Sequence, residues 1–271
     1  MRRAAMYLRV AASFGVMTLG ALVMLAAAIP TLFMARRLYS EVIGRAIGAA
    51  ILSICGIRYR VHHVSSPLDP RTPHAAPLSQ VIYISNHTST IDVFLLIAIG
   101  LPRTRFFLSG FLRKLVPLGI IGYLIRIFWT VPQQFPEQRR RIFQRADRIL
   151  RRTGDSVYLS PEGMRVTTGE IGHFNKGSFH LATSLRAPIV PIYFAIPPAM
   201  NPGMGYDAKP GTIDVWFLPP IDTSSWRLED LERNRDDVRA LFVRMNDDVR
   251  RHGAPQLAPE LRPSPARGVL V

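Results

Sequence analysis

Cysteine is nearly absent from this sequence. The single thiol, Cys55, excludes an intramolecular disulfide framework, and its place in an apolar run reads as an inert buried group. Acidic residues are scarce as well: 19 Asp and Glu stand against 34 Lys and Arg, a formal net charge of +15. A surface of that sign suits anionic partners, whether acidic lipid headgroups, an acidic protein, organic phosphates or nucleic acid. The last finds no support, because no zinc-finger, RNP or basic-zipper pattern is present. There is no internal repeat and no glycine-rich nucleotide loop.

The longest uncharged stretch lies near the N-terminus. Residues 10–35 are almost wholly apolar and reach no charge until Arg36 and Arg37, a length that can cross a bilayer core. Arg2, Arg3 and Arg9 flank the other end, so the charge bias does not set an orientation. A small-residue site at Ala26-Ala27-Ala28 fits a cleaved signal peptide, but the stretch is long for one and reads as an uncleaved anchor kinked at Pro30. Residues 42–57, with Gly44, Gly48, Ala49 and Ala50, read as a second membrane-embedded or interfacial helix packed closely on the first. Pro67, Pro70, Pro73 and Pro77 then mark an irregular loop. His62, His63 and His74 fall in this region without metal-ligand spacing and read as solvated loop histidines.

The densest polar chemistry lies between two apolar runs. Val81-Ile82-Tyr83-Ile84 reads as a strand and residues 93–99 as a helix. Between them stands Ser85-Asn86-His87-Thr88-Ser89-Thr90-Ile91-Asp92. A turn there folds the Asp92 carboxylate onto the His87 imidazole, fixes its tautomer and leaves the other ring nitrogen free to take a proton from a hydroxyl. This is the base and orienting half of a catalytic triad, with the nucleophile left to the substrate. A purely structural reading also exists, in which Asn86 or Thr88 caps the helix, Asp92 favours its dipole and His87 is a turn residue.

Asn86-His87, four residues and Asp92 resemble the His-x4-Asp signature of the glycerolipid acyltransferase family, of the 1-acylglycerol-3-phosphate type. Two further blocks follow in the same order. Ser160-Pro161-Glu162-Gly163-Met164-Arg165 is similar to that family's Pro-Glu-Gly-Thr-Arg block. Phe174-Asn175-Lys176-Gly177-Ser178 and Ala187-Pro188-Ile189-Val190-Pro191 are similar to its Phe-Lys-x-Gly and Pro-x-Val-Pro segments. The resemblance spans roughly residues 50–220. It implies an α/β fold with a mixed, mostly parallel sheet flanked by helices. Together with the apolar N-terminal stretches and the Pro-rich C-terminus, it divides the chain into residues 1–57 as membrane-anchoring helices, 58–252 as the catalytic domain and 253–271 as a flexible tail.

The resemblance also assigns roles. His87 is the base and Asp92 its orienting partner. Asn86, Lys114, Glu162, Gly163, Arg165 and Lys176 are substrate-binding candidates. Lys114 precedes a Pro-x-x-Gly-like stretch that in the family helps to bind the acceptor phosphate. Arg165 suits a phosphate by its bidentate fork. Gly163 lets the backbone come close, and Glu162 holds a hydroxyl or an arginine. Two departures stand out. Met164 replaces the block's threonine, and Gln133 ends Trp129-Thr130-Val131-Pro132-Gln133 where the family carries an arginine; Arg126 is out of register.

Elsewhere, residues 136–153 read as a helix with Ile142, Ala146, Ile149 and Leu150 on one face and seven arginines over much of the rest. That face is a solvated surface or a dock for anionic headgroups or an acidic acyl carrier protein. The expected activity is transfer of a fatty acyl group from coenzyme A or acyl carrier protein to a lysophospholipid hydroxyl, giving phosphatidate at the cytoplasmic face of the inner membrane, with no metal or other cofactor. The alternatives are another acceptor, such as an amino-acid lysolipid, or a catalytically silent lipid-binding membrane protein.

Overall fold

The computed structural model describes residues 2–64, 80–205 and 207–255; most of the expected Pro-rich loop with His74, and nearly all of the expected tail, lie outside the described residues. Seven strands, β1 (Ile57–His63), β2 (Ile82–Ser85), β3 (Thr104–Ser109), β4 (Phe128–Thr130), β5 (Ser156–Leu159), β6 (Ile189–Ala195) and β7 (Gly211–Phe217), form one sheet in the order β1-β7-β6-β2-β5-β3-β4. From β6 through β4 every neighbour is parallel, and β7 pairs antiparallel with β6 while β1 runs parallel to β7. Five carboxyl ends therefore meet at one edge, where open α/β sheets place their sites.

Burial on both faces explains the unbroken apolar runs of the central strands. Ile82 and Ile84 of β2 enter one core with Val157 and Leu159 of β5. Val81, just before β2, joins Tyr83 and Tyr158 in the other. Each such fully buried aliphatic side chain stabilises by about 1.5–3 kcal/mol. The first core is closed by α5 (Pro136–Thr153), α6 (Gly177–Leu185) and α7 (Leu231–His252). The second is closed by α2 (Arg45–Ile54) and α3 (Ile91–Ile99). Helix α5 has the expected bounds: Pro136 sits at its start and Gly154, at φ +63°, ends it with its N–H on the Leu150 carbonyl.

The N-terminal region departs from the expectation of one apolar run over 10–35. Helix α1 (Arg2–Ala28) starts earlier and stops before Pro30, where Leu32 and Phe33 take positive φ in a turn. Ala4–Ala28 is long and apolar enough to cross a membrane, and only 22% of its most apolar window is buried. Its buried stripe, Met17, Ala21, Met24 and Ala28, packs with Ile47 and Ile51 of α2 and with Ile121 and Leu124 of α4 (Val116–Leu124). Tyr7, Leu8, Leu19 and Leu22 face outward, as do Phe111, Val116 and Tyr123 beside α4.

The second N-terminal helix is shorter than 42–57: a π-helical turn over Leu38–Gly44 leads into α2. It is also sandwiched rather than packed on α1 alone. A Cβ at Gly20 of α1 would overlap Ile47, and one at Gly48 would lie 2.8 Å from the Ala98 backbone nitrogen of α3. Between α1 and α2, Arg36 is buried and ion-paired with Asp155, which also accepts from Arg105 Nε at 2.8 Å.

His62 and His63 are not loop residues. The strand expected at 58–61 runs on through both, because β7 supplies a partner register for each. The His62 ring stacks on Trp216 at 4.1 Å and its Nε2 lies 2.6 Å from Asp214 Oδ1. Cys55 is half-buried at the end of α2.

Candidate active site

Strand β2 delivers its last residue to the shared edge. Ser85 is fully buried there, its Oγ 2.8 Å from the Tyr158 hydroxyl and 2.8 Å from the Asn86 carbonyl. The next residue, Asn86, bonds across to β6: its Nδ2 donates to the Phe194 carbonyl at 3.1 Å and its Oδ1 accepts from the Phe194 N–H at 2.8 Å. Both polar ends of this side chain are thereby occupied. Asn86, expected to touch substrate, instead clamps the strand end to its neighbour.

The chain then turns through His87, Thr88 and Ser89 into α3. The helix cap is neither Asn86 nor Thr88; Ser89 Oγ accepts from the Ile91 N–H at 3.1 Å. Asp92, in the first turn of α3, is 1% exposed and folds back over the preceding loop. Its Oδ2 accepts from Thr88 N at 2.8 Å and Ser89 N at 3.0 Å, and it lies 2.8 Å from His87 Nδ1. An oxygen already accepting two amide hydrogens is held as a carboxylate acceptor. Nδ1 is therefore the protonated nitrogen and Nε2 keeps its lone pair. The His87 side chain is 28% exposed, so that lone pair is within reach of a substrate.

The loop after β5 grips the same histidine from both sides. Glu162 Oε2 accepts from the His87 backbone N–H at 2.5 Å, and Val166 N donates to the His87 carbonyl at 2.8 Å. The second carboxylate oxygen, Oε1, accepts from Gly172 N at 2.7 Å. Glu162 is only 3% exposed. Burial, opposed by the Gly172 and His87 amides, pushes its carboxyl up to about 7. Each Glu162 oxygen accepts from a backbone donor, an arrangement that positions the histidine turn.

Gly163 sits at φ +69°, and a Cβ there would lie 2.8 Å from Asn175 Nδ2 and 3.3 Å from Gln133 Nε2. Glycine is required by conformation and by space. Asn175 ties the loop down, donating from Nδ2 to the carbonyls of Pro161 at 2.9 Å and Glu162 at 3.0 Å. Two neutral amides, Gln133 and Asn175, therefore border this loop. Asn175 and Tyr158 have structural roles here that the motifs did not signal.

The cationic candidates divide. Arg165 is half-buried, and its guanidinium makes one long bond, 3.4 Å, to the Met204 carbonyl. No carboxylate among the described residues pairs with it, so its fork is open to an anion. Lys114 is exposed at the end of a 3₁₀ turn, Gly110–Lys114, that follows β3 at the same sheet edge. Lys176 is instead ion-paired with Glu232 at the start of α7. His173 is exposed. Among the described residues no group of three or more His, Cys, Asp or Glu is arranged to hold a metal. An apolar pocket lined by Met17, Ile47, Phe94, Ile97, Leu118 and Ile121 opens between the N-terminal helices and α3 and α4.

Residues 69–195 match the profile of the Acyltransferase family. The chain is 25% identical over 167 residues to a 1-acyl-sn-glycerol-3-phosphate acyltransferase of Cocos nucifera, covering 61% of this chain and 53% of that protein. With the enzyme of the same name from Limnanthes douglasii it shares 26% over 217 residues, 74% of this chain and 68% of the other. With the human beta form it shares 27% over 203 residues, 73% and 70%. The chain thus spans about half the length of the coconut relative. The crystal structure of the 1-acyl-sn-glycerophosphate acyltransferase PlsC from Thermotoga maritima superposes with a TM-score of 0.63 at 18% identity, over 92% of this chain and 98% of that one.

Proposed function

We propose that the chain is a member of the PlsC-like acyltransferase family and a membrane-bound O-acyltransferase. It moves a fatty acyl group from an acyl thioester, of coenzyme A or acyl carrier protein, to the free hydroxyl of 1-acyl-sn-glycerol 3-phosphate, giving phosphatidate. The observation that carries this reading is the His87 Nδ1–Asp92 Oδ2 contact at 2.8 Å, with Nε2 left open. His87 Nε2 takes the acceptor's hydroxyl proton as the oxygen bonds to the thioester carbonyl carbon. Asp92 stabilises the imidazolium that forms. Collapse of the tetrahedral adduct breaks the C–S bond, and the imidazolium returns its proton to the leaving thiolate. A general base supplies about 10²–10⁴-fold, so holding donor and acceptor together supplies much of the rest.

Arg165 and Lys114 are the proposed phosphate contacts, and Gly163 admits the acceptor close to the backbone. The apolar pocket beside α3 suits an acyl chain. Residues 1–57 serve as the anchor, 58–252 as the catalytic body and 253–271 as a tail, with the site on the cytoplasmic side of the inner membrane. A second acceptor class, an uncharged or amino-acid lysolipid, is favoured by one observation: Gln133, not a cation, stands beside Gly163. Free thiol release from both donors, offered with a panel of lysolipids and run beside His87→Ala, tests the reading. Release that needs one acceptor and vanishes in the variant supports it and names the acceptor. No release from folded protein with any pair favours a lipid-binding protein without catalysis.

A further inference from the structure

Helix α5 carries a feature that neither the fold nor the hydroxyl chemistry uses. Arg141, Arg145, Arg148 and Arg152 are all exposed and spaced i, i+4, i+7 and i+11. At about 100° per residue they fall within one sector about 60° wide. No carboxylate among the described residues pairs with any of the four. The helix's own Asp147 is taken by Arg151 at 3.0 Å and by Ser184. Like charges three and four apart on a helix repel and destabilise it. The longer α7 carries both signs in ion pairs such as Arg235 with Asp236, so this chain builds balanced faces where only solvation is needed.

The stripe starts beside the site. Arg139 Nη1, in the first turn of α5, donates to the Val131 carbonyl just past the end of β4 at 3.0 Å. Phe143 packs so closely on Gly177 that a Cβ there would lie 2.6 Å from its ring. Gly177 follows the Asn175 that ties down the Glu162 loop. Arg139 and Phe143 both fall nearly opposite the stripe on the helix, so these contacts hold the inner face of α5 and leave the stripe outward, its N-terminal end toward the sheet edge where the five carboxyl ends meet.

A lipid surface is the poorer occupant. The apolar face of α5, with Ala146 and Leu150 fully buried, is committed to the core and has nothing to insert into a headgroup layer. The helix also lies across the sheet from α1, α2 and α3, the side that carries the exposed apolar surface. Resting on the reading of the chain as a thioester-dependent acyltransferase, we infer that the Arg141–Arg145–Arg148–Arg152 stripe of α5 is the docking surface for an acidic acyl carrier protein. The carrier's acidic face lies along the helix, and its thioester arm reaches over the N-terminal end of α5 toward the sheet edge that holds His87. Complementary charge of this kind speeds encounter and fixes register.

The test compares wild type with Arg145→Glu/Arg148→Glu in detergent. It uses palmitoyl–acyl carrier protein and palmitoyl-coenzyme A as donors, and anisotropy of a labelled carrier protein as a direct binding measure. The expected result is a loss of at least about tenfold in kcat/KM for the carrier-bound donor, mostly in KM, with the coenzyme A donor within about twofold. Raised salt should weaken the wild-type reaction with the carrier protein alone. Equal loss with both donors overturns the proposal, as does loss with coenzyme A alone, which would place that donor's phosphates on the stripe. Weakened binding to phosphatidylglycerol vesicles without donor selectivity overturns it in favour of a membrane contact. Wild type that uses coenzyme A but neither binds nor uses the carrier protein overturns it and leaves the acyltransferase reading standing. Wild type inactive with both donors overturns that reading instead, and the anisotropy difference between wild type and variant then decides the docking surface by itself.

Discussion

Glu162 Oε2 accepts a hydrogen bond from the backbone N–H of His87 at 2.5 Å, and its other oxygen accepts from Gly172 at 2.7 Å. One buried carboxylate thus joins the histidine turn to the loop that follows β5. Its importance lies in where it puts the imidazole rather than in any contact with substrate.

Glu162→Gln keeps the shape but turns one acceptor into a donor facing an amide hydrogen. The variant should lose about 1–3 kcal/mol of stability. The acceptor KM should stay near wild type while kcat falls, since the base is displaced and the phosphate contacts are not. Denaturant melts and a kcat–KM split check this; a raised KM with unchanged kcat would return Glu162 to substrate binding.

The same carboxyl predicts a pH dependence. It titrates near about 4.3 in an unfolded chain and up to about 7 here. Between those values the native state holds a proton that the unfolded chain has released. Its contribution is complete below about 4.3 and is lost as pH rises through about 7, by at most about 4 kcal/mol. Melts from pH 4 to 8 should show this decline in wild type and a flatter profile in Glu162→Gln.

Asp92→Asn removes a carboxylate that organises two backbone amides as well as the ring. The wrong imidazole tautomer and a loosened turn should lower kcat by about 10²–10⁴-fold. Circular dichroism should report a folded protein. Activity within a few-fold of wild type would reduce the dyad to a structural contact.

Asn86→Ala strands the Phe194 N–H and carbonyl between β2 and β6. Two buried backbone groups left unpaired should cost about 2–4 kcal/mol. Urea midpoints measure it. A variant as stable as wild type, but with a raised acceptor KM, would make Asn86 a substrate contact after all.

Arg165→Ala should raise the KM for a phosphate-bearing acceptor about tenfold or more, with kcat little changed. Gln133→Arg places a new cation beside Gly163 and should lower that KM. An acceptor without phosphate would respond to neither change, and steady-state kinetics on both lysolipid classes distinguish the cases.

The dyad was legible because only four residues separate His87 from Asp92, so their meeting depends on local geometry. Helix α5 was legible to the residue because Pro136, Gly154 and one apolar stripe all agree. Asn86 and Glu162 were noticed, but their backbone partners were not. A motif says that a polar side chain is needed, not which distant backbone it bonds, and Phe194 and Gly172 carry no polar side chain to advertise the contact. His62 and His63 looked like loop residues because strand β1 gains its partner only from β7, some 150 residues away. Asn175 lay within a recognised block, yet its donation to two carbonyls appears only once the Glu162 loop has folded over it.

Arg36 and Arg105 share Asp155 at the buried foot of the sheet. Removing that carboxylate would leave two guanidinium groups without their counterion, a loss of about 3–5 kcal/mol. The joint makes the N-terminal helices a mount rather than a leash: it ties the segment between α1 and α2 rigidly to the sheet that carries His87. On the membrane-bound reading proposed above, which acceptor hydroxyl is attacked becomes a question of depth as much as of recognition.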